Sequence, residues 1–487
     1  MEIIFKGINP KASFILISIF FVLTILFFSK NISSPGLQYD ETLFINGALG
    51  FKFEWFKHNS FLGIPVYVFP YIGSLKSLIY TPIFKIFGVT PFSIRIPSLI
   101  IGTIGLYIPL LFLNRSLSIF KIFIYLGILL SCSNFYILTR NDWGPVALNL
   151  FLSSLLYALL FLLKKDKNQI INYLIAIISL LIVFNKLDGV IVIISCFCAL
   201  SLITTIDFIS GTEIKKIFVK KNLFFNIFNK LLLFLPAFIL FFSRYFYIKN
   251  SIQSLNDSSP NISIYQFFIN STKSILDPFT VDQYFYDISQ QRIVNHYSLY
   301  LFIIFFCLLT YIIRKIISYR KKLNIVSLNS GLVFILIGFL NMIFLFLVPF
   351  TTSIHHYYMI VFPFLVGSSL LGMELGDNVF SKKLYRILSI ILIGLISSNL
   401  ILNINGSLFH WRQFDNGSHS KIWNNEIYSI SENVSNILND DTFVTNIFTS
   451  WGFLNQVEAL NERKITENNF KSYEIYNELF ENDFEAF

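Results

Sequence analysis

The most constraining feature of this chain is its series of long apolar runs. Of its 487 residues, 55% are hydrophobic and only 13% are charged. A run of about 18 or more apolar residues is long enough to cross a bilayer as a helix. We identify eleven runs, near Ser13–Ser29, Phe92–Leu113, Phe120–Leu138, Val146–Leu163, Gln169–Phe184, Gly189–Ile206, Leu231–Ile248, Ser298–Ile313, Gly331–Val348, Tyr358–Met373 and Ile387–Leu402. They predict an all-α, polytopic membrane protein, in which the two short runs around Gln169–Ile206 are candidates for tilted or re-entrant segments.

The distribution of charge predicts the orientation of those spans. Lys and Arg concentrate at the N-terminus and in the loops after even-numbered spans, as in Lys164–Lys167 and Lys382–Arg386. Because loops rich in Lys and Arg face the cytoplasm, we expect a cytoplasmic N-terminus and an extracytoplasmic C-terminus in a bacterial inner membrane. The formal net charge of +9 then reflects orientation, and basic residues spread over short loops do not support a nucleic-acid partner.

Other whole-chain signals are few. No small-residue cleavage pattern follows the first apolar run, so we interpret it as a span and not as a signal peptide. All four cysteines (Cys132, Cys196, Cys198 and Cys307) lie inside apolar runs, where they are typical of core or lipid-facing positions and not of disulfides or metal ligands. No Gly-rich phosphate loop is present, which argues against a nucleotide cofactor.

Three longer segments fall on the predicted outer face. The first loop, Lys30–Pro91, contains two adjacent acids and the amphipathic stretch Leu75–Phe87, which predicts a helix along the membrane surface. The second segment, Lys249–His296, is polar. The third segment is the C-terminal tail. We predict a multi-span membrane domain over residues 1–403 and a small extracytoplasmic α/β domain over residues 404–487. The long outer segments predict that any chemistry takes place on that face.

Polar residues gather at the predicted outer ends of the spans. They are Asp40 and Glu41, Arg140 to Asp142, Lys186 and Asp188, Arg244, and His355 and His356. Each set has a structural interpretation: Asp40 as a helix cap for Thr42–Phe51, Arg140 and Asp142 as an ion pair, and Lys186 as a snorkelling side chain. Together they predict a site for a charged substrate, and the Asp, Glu and His residues suit a divalent metal. The spacing is not that of a compact metal motif, so the metal is left open.

The order of four motifs resembles the membrane glycosyltransferases of the GT-C fold, family 39 type. The motifs are Tyr39–Thr42, Phe87–Ser98, Thr139–Asp142 and His356–Pro363. That group includes protein O-mannosyltransferases and lipid A aminoarabinose transferases. The resemblance covers Lys11–Met373 in layout. It implies transfer of a sugar from a polyprenyl-phosphate donor to an acceptor hydroxyl on the outer face, with inversion.

The resemblance also implies roles for individual residues. Asp40, with Glu41 beside it, and Asp142 match the catalytic acids, and a carboxylate within reach of the acceptor hydroxyl can act as general base. Fixed cations stabilise a departing phosphate, and the candidates for donor binding are Arg95, Arg140, Lys186 and Arg244. His356 and Asp142 are the candidate metal ligands.

The sequence departs from the family pattern at two places. Aminoarabinose transferases carry a Glu-Lys-Pro element in the first loop, whereas Gly73–Ser77 contains no acid, which leaves metal dependence open. The long lumenal domain of the mannosyltransferases is missing, so a protein acceptor gains no support over a lipid or a glycan.

Two alternative functions remain. A transporter or flippase of lipid-linked sugars would also need many spans, but we find no matching halves, and the polar residues lie at span ends. An outer-face glycan polymerase or ligase would share the donor class. It would need an arginine-rich outer loop, and Lys249–His296 contains one arginine, Arg292.

Overall fold

The structure is a computed structural model. It describes residues 9–34, 36–37, 39–50, 60–61, 64–69, 71–113, 117–130, 139–141, 144–165, 169–211, 220–256, 303, 306–307, 309–312, 330–346, 358–373, 382–415, 426–439 and 453–462. Helix accounts for 88% of these residues. The prediction of a largely helical protein is therefore confirmed for the described part of the chain.

Ten apolar helices correspond to predicted spans. They are α1 (Pro10–Phe28), α4 (Pro91–Leu113), α5 (Ile119–Leu130), α6 (Val146–Lys165), α7 (Gln169–Asn185), α8 (Val190–Gly211), α9 (Lys220–Asn256), α10 (Ser330–Phe346), α11 (Tyr358–Met373) and α12 (Lys382–Asp415). Four of them, α1, α4, α6 and α9, include apolar stretches long enough to cross a membrane. The apolar stretches of the other six are shorter. The count of eleven spans stays a prediction, because Ser298–Ile313 is described only in part.

The apolar helices pack into one bundle. Neighbouring pairs include α4 with α6, α6 with α7, α7 with α9, and α10 with α11. Small residues allow close approach at two of these interfaces, as is typical of membrane helices. A Cβ atom on Gly105 of α4 would lie 2.9 Å from the Phe151 backbone of α6, and one on Gly331 would lie 2.9 Å from the Gly367 carbonyl oxygen.

The first loop forms a compact layer on this bundle. It contains α2 (Tyr39–Ala48), the antiparallel pair β1 (Ser60–Phe61) and β2 (Ile64–Pro65), the antiparallel pair β3 (Tyr67–Phe69) and β4 (Ile72–Gly73), and α3 (Leu75–Phe87). The predicted amphipathic helix over Leu75–Phe87 is thus confirmed as a helix. α2 begins at Tyr39, so Asp40 lies in its first turn and is not the residue before a helix over Thr42–Phe51.

Two C-terminal helices complete this layer. They are α13 (Glu426–Asn439) and α14 (Phe453–Leu460), which pack on each other, while α14 also packs on α2. Buried apolar side chains join α2, α3, α14 and the residues before α2. They include Leu37, Ile45, Tyr80 and Ala459. Residues 440–452 and 463–487 of the predicted C-terminal α/β domain lie outside the described residues, so its strands are untested. α12 continues through residue 403, where we predicted the domain boundary, to Asp415.

Candidate functional site

The residues before α2, Asn31–Ser34 with Gly36 and Leu37, are held by side chains from distant parts of the chain. We call these residues the linker segment. Its backbone carbonyl oxygens accept hydrogen bonds from Arg140 (at Asn31 and Ser34), Arg95 (at Ile32 and Gly36), Tyr428 (at Ser33) and Gln456 (at Leu37). Gly36 and Leu37 are buried, and a buried carbonyl without a donor is costly. The linker segment has little regular structure, so these side chains replace the partners that a helix or sheet would supply.

A buried ion pair fixes the start of α2 to α4. The Arg95 guanidinium donates from Nε to Glu41 Oε1 at 2.8 Å and from Nη2 to Glu41 Oε2 at 2.9 Å. Arg95 is 0% exposed and Glu41 is 1% exposed. Two parallel charge-assisted bonds make a strong and directional contact. The carboxylate next to Asp40 in the chain therefore has a structural partner inside the protein.

The residues around Gly88, which join α3 to α4, place Arg95 beside Glu41. Gly88 ends α3 with φ +67°, in the left-handed region that favours glycine. Thr90 and Ser93 then exchange hydrogen bonds between side chains and backbone amides, of 2.9 and 3.1 Å, and Pro91 occupies the first position of α4, where a missing N–H costs nothing. A helix that starts here brings Arg95 to Glu41 about one turn later. The second motif of the family resemblance thus has a local structural role.

Arg140 lies on the other side of the linker segment. It is 2% exposed, and its Nη2 donates to the Asn31 carbonyl oxygen and, at 2.5 Å, to that of Ser34. Asn31 has φ +50°, which asparagine tolerates better than most residues. Whether Arg140 pairs with Asp142 is untested, because Asp142 lies outside the described residues.

Tyr428, on α13, is a site residue that the sequence did not indicate. Its hydroxyl donates to the Ser33 carbonyl oxygen at 2.8 Å. Burial raises the pKa of Tyr428 to about 12, while Arg95 lowers it, Glu41 raises it and Arg140 lowers it. The phenol therefore lies within the field of this charged cluster. It stays protonated at physiological pH and acts there as a hydrogen-bond donor, not as a base.

A second group of predicted cations surrounds the β3–β4 hairpin. Lys186 forms a backbone bridge with Ile72 of β4, and its Nζ lies 3.2 Å from Asp188 Oδ2. The guanidinium carbon of Arg244, on α9, lies 3.7 Å from the centroid of the Tyr67 ring, a distance at which a cation and an aromatic face attract each other. The pKa of Tyr67 is raised, because the effect of burial is larger than the lowering effect of Arg244.

The two groups of cations contact different parts of the first loop. Between them in sequence, α2 packs on β3, where Phe44 and Val68 are buried together, and on α14. Arg95 and Arg140 thus lie at the linker segment, and Lys186 and Arg244 lie at the hairpin. The structure gathers these four predicted cations and Glu41 around the first loop, although they come from well-separated parts of the chain.

Lys76 is a further buried cation that the sequence analysis missed. It lies on α3, is 4% exposed, and its Nζ is 4.3 Å from the centroid of the Phe44 ring and 5.4 Å from that of Tyr80. The signal that could have found it is position: Lys76 falls on the apolar side of an amphipathic helix, four residues before Tyr80, so both face α2.

The remaining predicted residues keep their status as predictions. The Asp40 backbone belongs to the first turn of α2, but its side chain, Asp142 and His356 lie outside what the structure describes. Among the described residues, no group of three or more His, Cys, Asp or Glu side chains could hold a metal ion. The proposed metal ligands are not among them, so the metal prediction is untested.

Comparison with protein-family models and with curated proteins gives no match to this chain. The resemblance to family 39 rests on the four motifs alone.

Proposed function

We propose that this protein is a membrane glycosyltransferase of the GT-C type. It transfers a sugar from a polyprenyl-phosphate donor to an acceptor hydroxyl on the extracytoplasmic face. The observation that carries the proposal is the convergence of Glu41, Arg95, Arg140, Lys186 and Arg244 on the first loop. Buried cations at the loop that carries Asp40 suit a reaction in which a phosphate leaves.

In this mechanism Asp40 is the general base. It takes the proton of the acceptor hydroxyl as that oxygen attacks the anomeric carbon, while the bond to the lipid phosphate breaks on the opposite face. A single displacement of this kind inverts the anomeric centre. General-base catalysis is effective only if the base is held in position, and the linker segment and the Glu41–Arg95 pair supply a rigid start to α2.

The cations divide between two tasks in this proposal. The Arg95 guanidinium donates hydrogen bonds to Glu41 and to two carbonyl oxygens. These contacts favour a role in positioning α2, and the predicted contact of Arg95 with phosphate stays a prediction. Arg140, Lys186 and Arg244 are the candidates for the donor phosphate, where fixed charges in a water-poor site stabilise the leaving group. The mechanism uses no metal step. The prenyl chain lies between apolar spans, where each buried CH₂ contributes about 0.8 kcal/mol.

The test uses the purified protein in detergent or nanodiscs with a panel of prenyl-phosphate sugars. We expect release of free prenyl phosphate and a modified acceptor. The Asp40→Asn variant should remain folded and lose about 10²- to 10⁴-fold in kcat. Glu432→Gln, which changes an exposed acid on α13, is the matched control and should keep full activity.

Three outcomes would change the proposal. Normal turnover by Asp40→Asn removes Asp40 as the base. Movement of a labelled lipid-linked sugar across a vesicle bilayer without release of prenyl phosphate favours a transporter, and growth of a glycan chain on the donor favours a polymerase. A parallel reaction with a chelator determines whether a divalent metal is needed.

A further inference from the structure

The C-terminal helices contact both chain segments that deliver the buried ion pair. Tyr428 Oη donates to the Ser33 carbonyl oxygen at 2.8 Å, and Gln456 Nε2 donates to the Leu37 carbonyl oxygen at 2.5 Å. Both acceptors belong to the linker segment, which leads into α2 and Glu41. Gln456 is 6% exposed, so its contact with the linker segment is an interior one.

The same helices also reach the segment that leads into α4. Glu462, two residues after the end of α14, accepts a hydrogen bond from the Val89 backbone amide at 2.7 Å. Val89 lies at the junction between α3 and α4, two residues before the helix that carries Arg95. Glu462 follows Gln456 by less than two helical turns, so one short stretch of chain ties down both partners of the Glu41–Arg95 pair.

The docking of these helices is well packed. Val457 and Ala459 of α14 are 0% exposed, as is Leu37 of the linker segment. The side chain of Asn461 donates to Ser431 Oγ at 2.9 Å and joins α14 to α13. An ordered contact between segments some 400 residues apart has to offset the entropy of fixing the tail, and buried apolar area together with hydrogen bonds to backbone carbonyls does so.

We infer that Tyr428 and Gln456 are positioning residues for the first-loop site, so that the site is complete only when the C-terminal helices are docked. This inference rests on the proposed function for its catalytic part. The two side chains hold the linker segment, the linker segment sets the start of α2, and α2 carries Asp40. Tyr428 and Gln456 act through Asp40 and do not contact the reacting atoms.

The first measurement is hydrogen exchange of the α2 amides, Tyr39–Ala48, in the Tyr428→Phe/Gln456→Leu double variant. Loss of these two hydrogen bonds should speed exchange in α2 by roughly five- to hundredfold, which corresponds to two net hydrogen bonds. Exchange in α9, which packs mainly on α7 and α8, should not change. The control is Tyr173→Phe, which removes a hydroxyl that is 68% exposed on α7.

The second measurement is steady-state kinetics per folded enzyme. A misplaced base lowers the rate of the chemical step more than donor binding, so we expect kcat to fall about tenfold and the donor KM to stay within about twofold. Glu462→Ala should show the same pattern more weakly. A structural role alone would lower the folded fraction and leave kcat per folded molecule unchanged.

Two results would overturn the inference: unchanged α2 exchange in the double variant, or wild-type kcat per folded enzyme in that variant. The exchange measurement needs no turnover. If wild-type protein uses no prenyl-phosphate sugar, the proposed function fails, and the exchange data still decide whether the C-terminal helices hold α2.

Discussion

The buried Glu41–Arg95 pair gives the sharpest quantitative prediction. In Glu41→Gln the shape is kept, but an amide group replaces one carboxylate oxygen, and the Arg95 charge loses its counter-ion at 0% exposure. Breaking a buried pair by removing one partner costs about 3–5 kcal/mol of unfolding free energy. We expect Glu41→Gln, Glu41→Leu and Arg95→Met each to lose about that much.

The double variant Glu41→Leu/Arg95→Met should be much less unstable than two such losses combined. It removes both charges, and replacing a buried pair by apolar side chains is often close to neutral. The cost that remains comes from the Ile32 and Gly36 carbonyl oxygens, which Arg95 contacts at 2.8 and 3.0 Å, at about 1 kcal/mol each. The coupling energy between the two positions, which is the two single losses less the roughly 2 kcal/mol that remains in the double variant, is therefore about 4–8 kcal/mol.

The assay is reversible unfolding in mixed micelles by titration with sodium dodecyl sulfate, followed by circular dichroism. Glu432→Gln removes an exposed acid and should stay within about 0.5 kcal/mol of wild type. Additive losses in the double-mutant cycle, or a Glu41→Gln variant as stable as wild type, would refute the argument that these two charges stabilise each other in the interior.

Two further predictions concern the β3–β4 hairpin. Gly73→Ala should destabilise the protein by about 1–3 kcal/mol, because its Cβ would lie 2.2 Å from the Phe184 carbonyl oxygen. The control in the same unfolding titration is Gly394→Ala, whose Cβ meets nothing within 4 Å. Equal stability of the two variants would contradict the close contact at Gly73. Arg244→Lys keeps the charge but loses the planar group over Tyr67, so we expect the free energy of unfolding to fall by about 1 kcal/mol in that titration. In the transferase assay we expect a raised KM for the donor. An unchanged free energy of unfolding would show that the stacking contributes nothing to stability.

Hydrophobic pattern predicted much of the helical architecture, because it is a local property. The apolar run Tyr358–Met373 has the bounds of α11, and the run that starts at Val146 starts with α6. Predicted ends were poorer where a helix leaves the apolar region: α9 runs past Ile248 to Asn256, and α12 runs past Leu402 to Asp415. Polar residues extend a helix without adding to an apolar run, so hydropathy alone gives no sign of them.

The sequence also identified the residue types of the site but not their partners. Glu41 and Arg140 stand out as charges beside apolar runs, and Arg95 belongs to the second motif of the family resemblance. Neither pattern distinguished a phosphate ligand from a positioning residue. Arg95 is tied to Glu41 at a separation of 54 residues, which no local pattern encodes.

The amino-acid sequence by itself determined that this chain forms apolar helices with charged residues at their ends, because helix length and hydrophobicity follow from consecutive residues. Only the tertiary structure decided that the linker segment is held by Arg95, Arg140, Tyr428 and Gln456. Those contacts join segments up to 419 residues apart, and they depend on how the helices pack. The carbonyl oxygens of an irregular segment accept whichever donors the fold brings within reach.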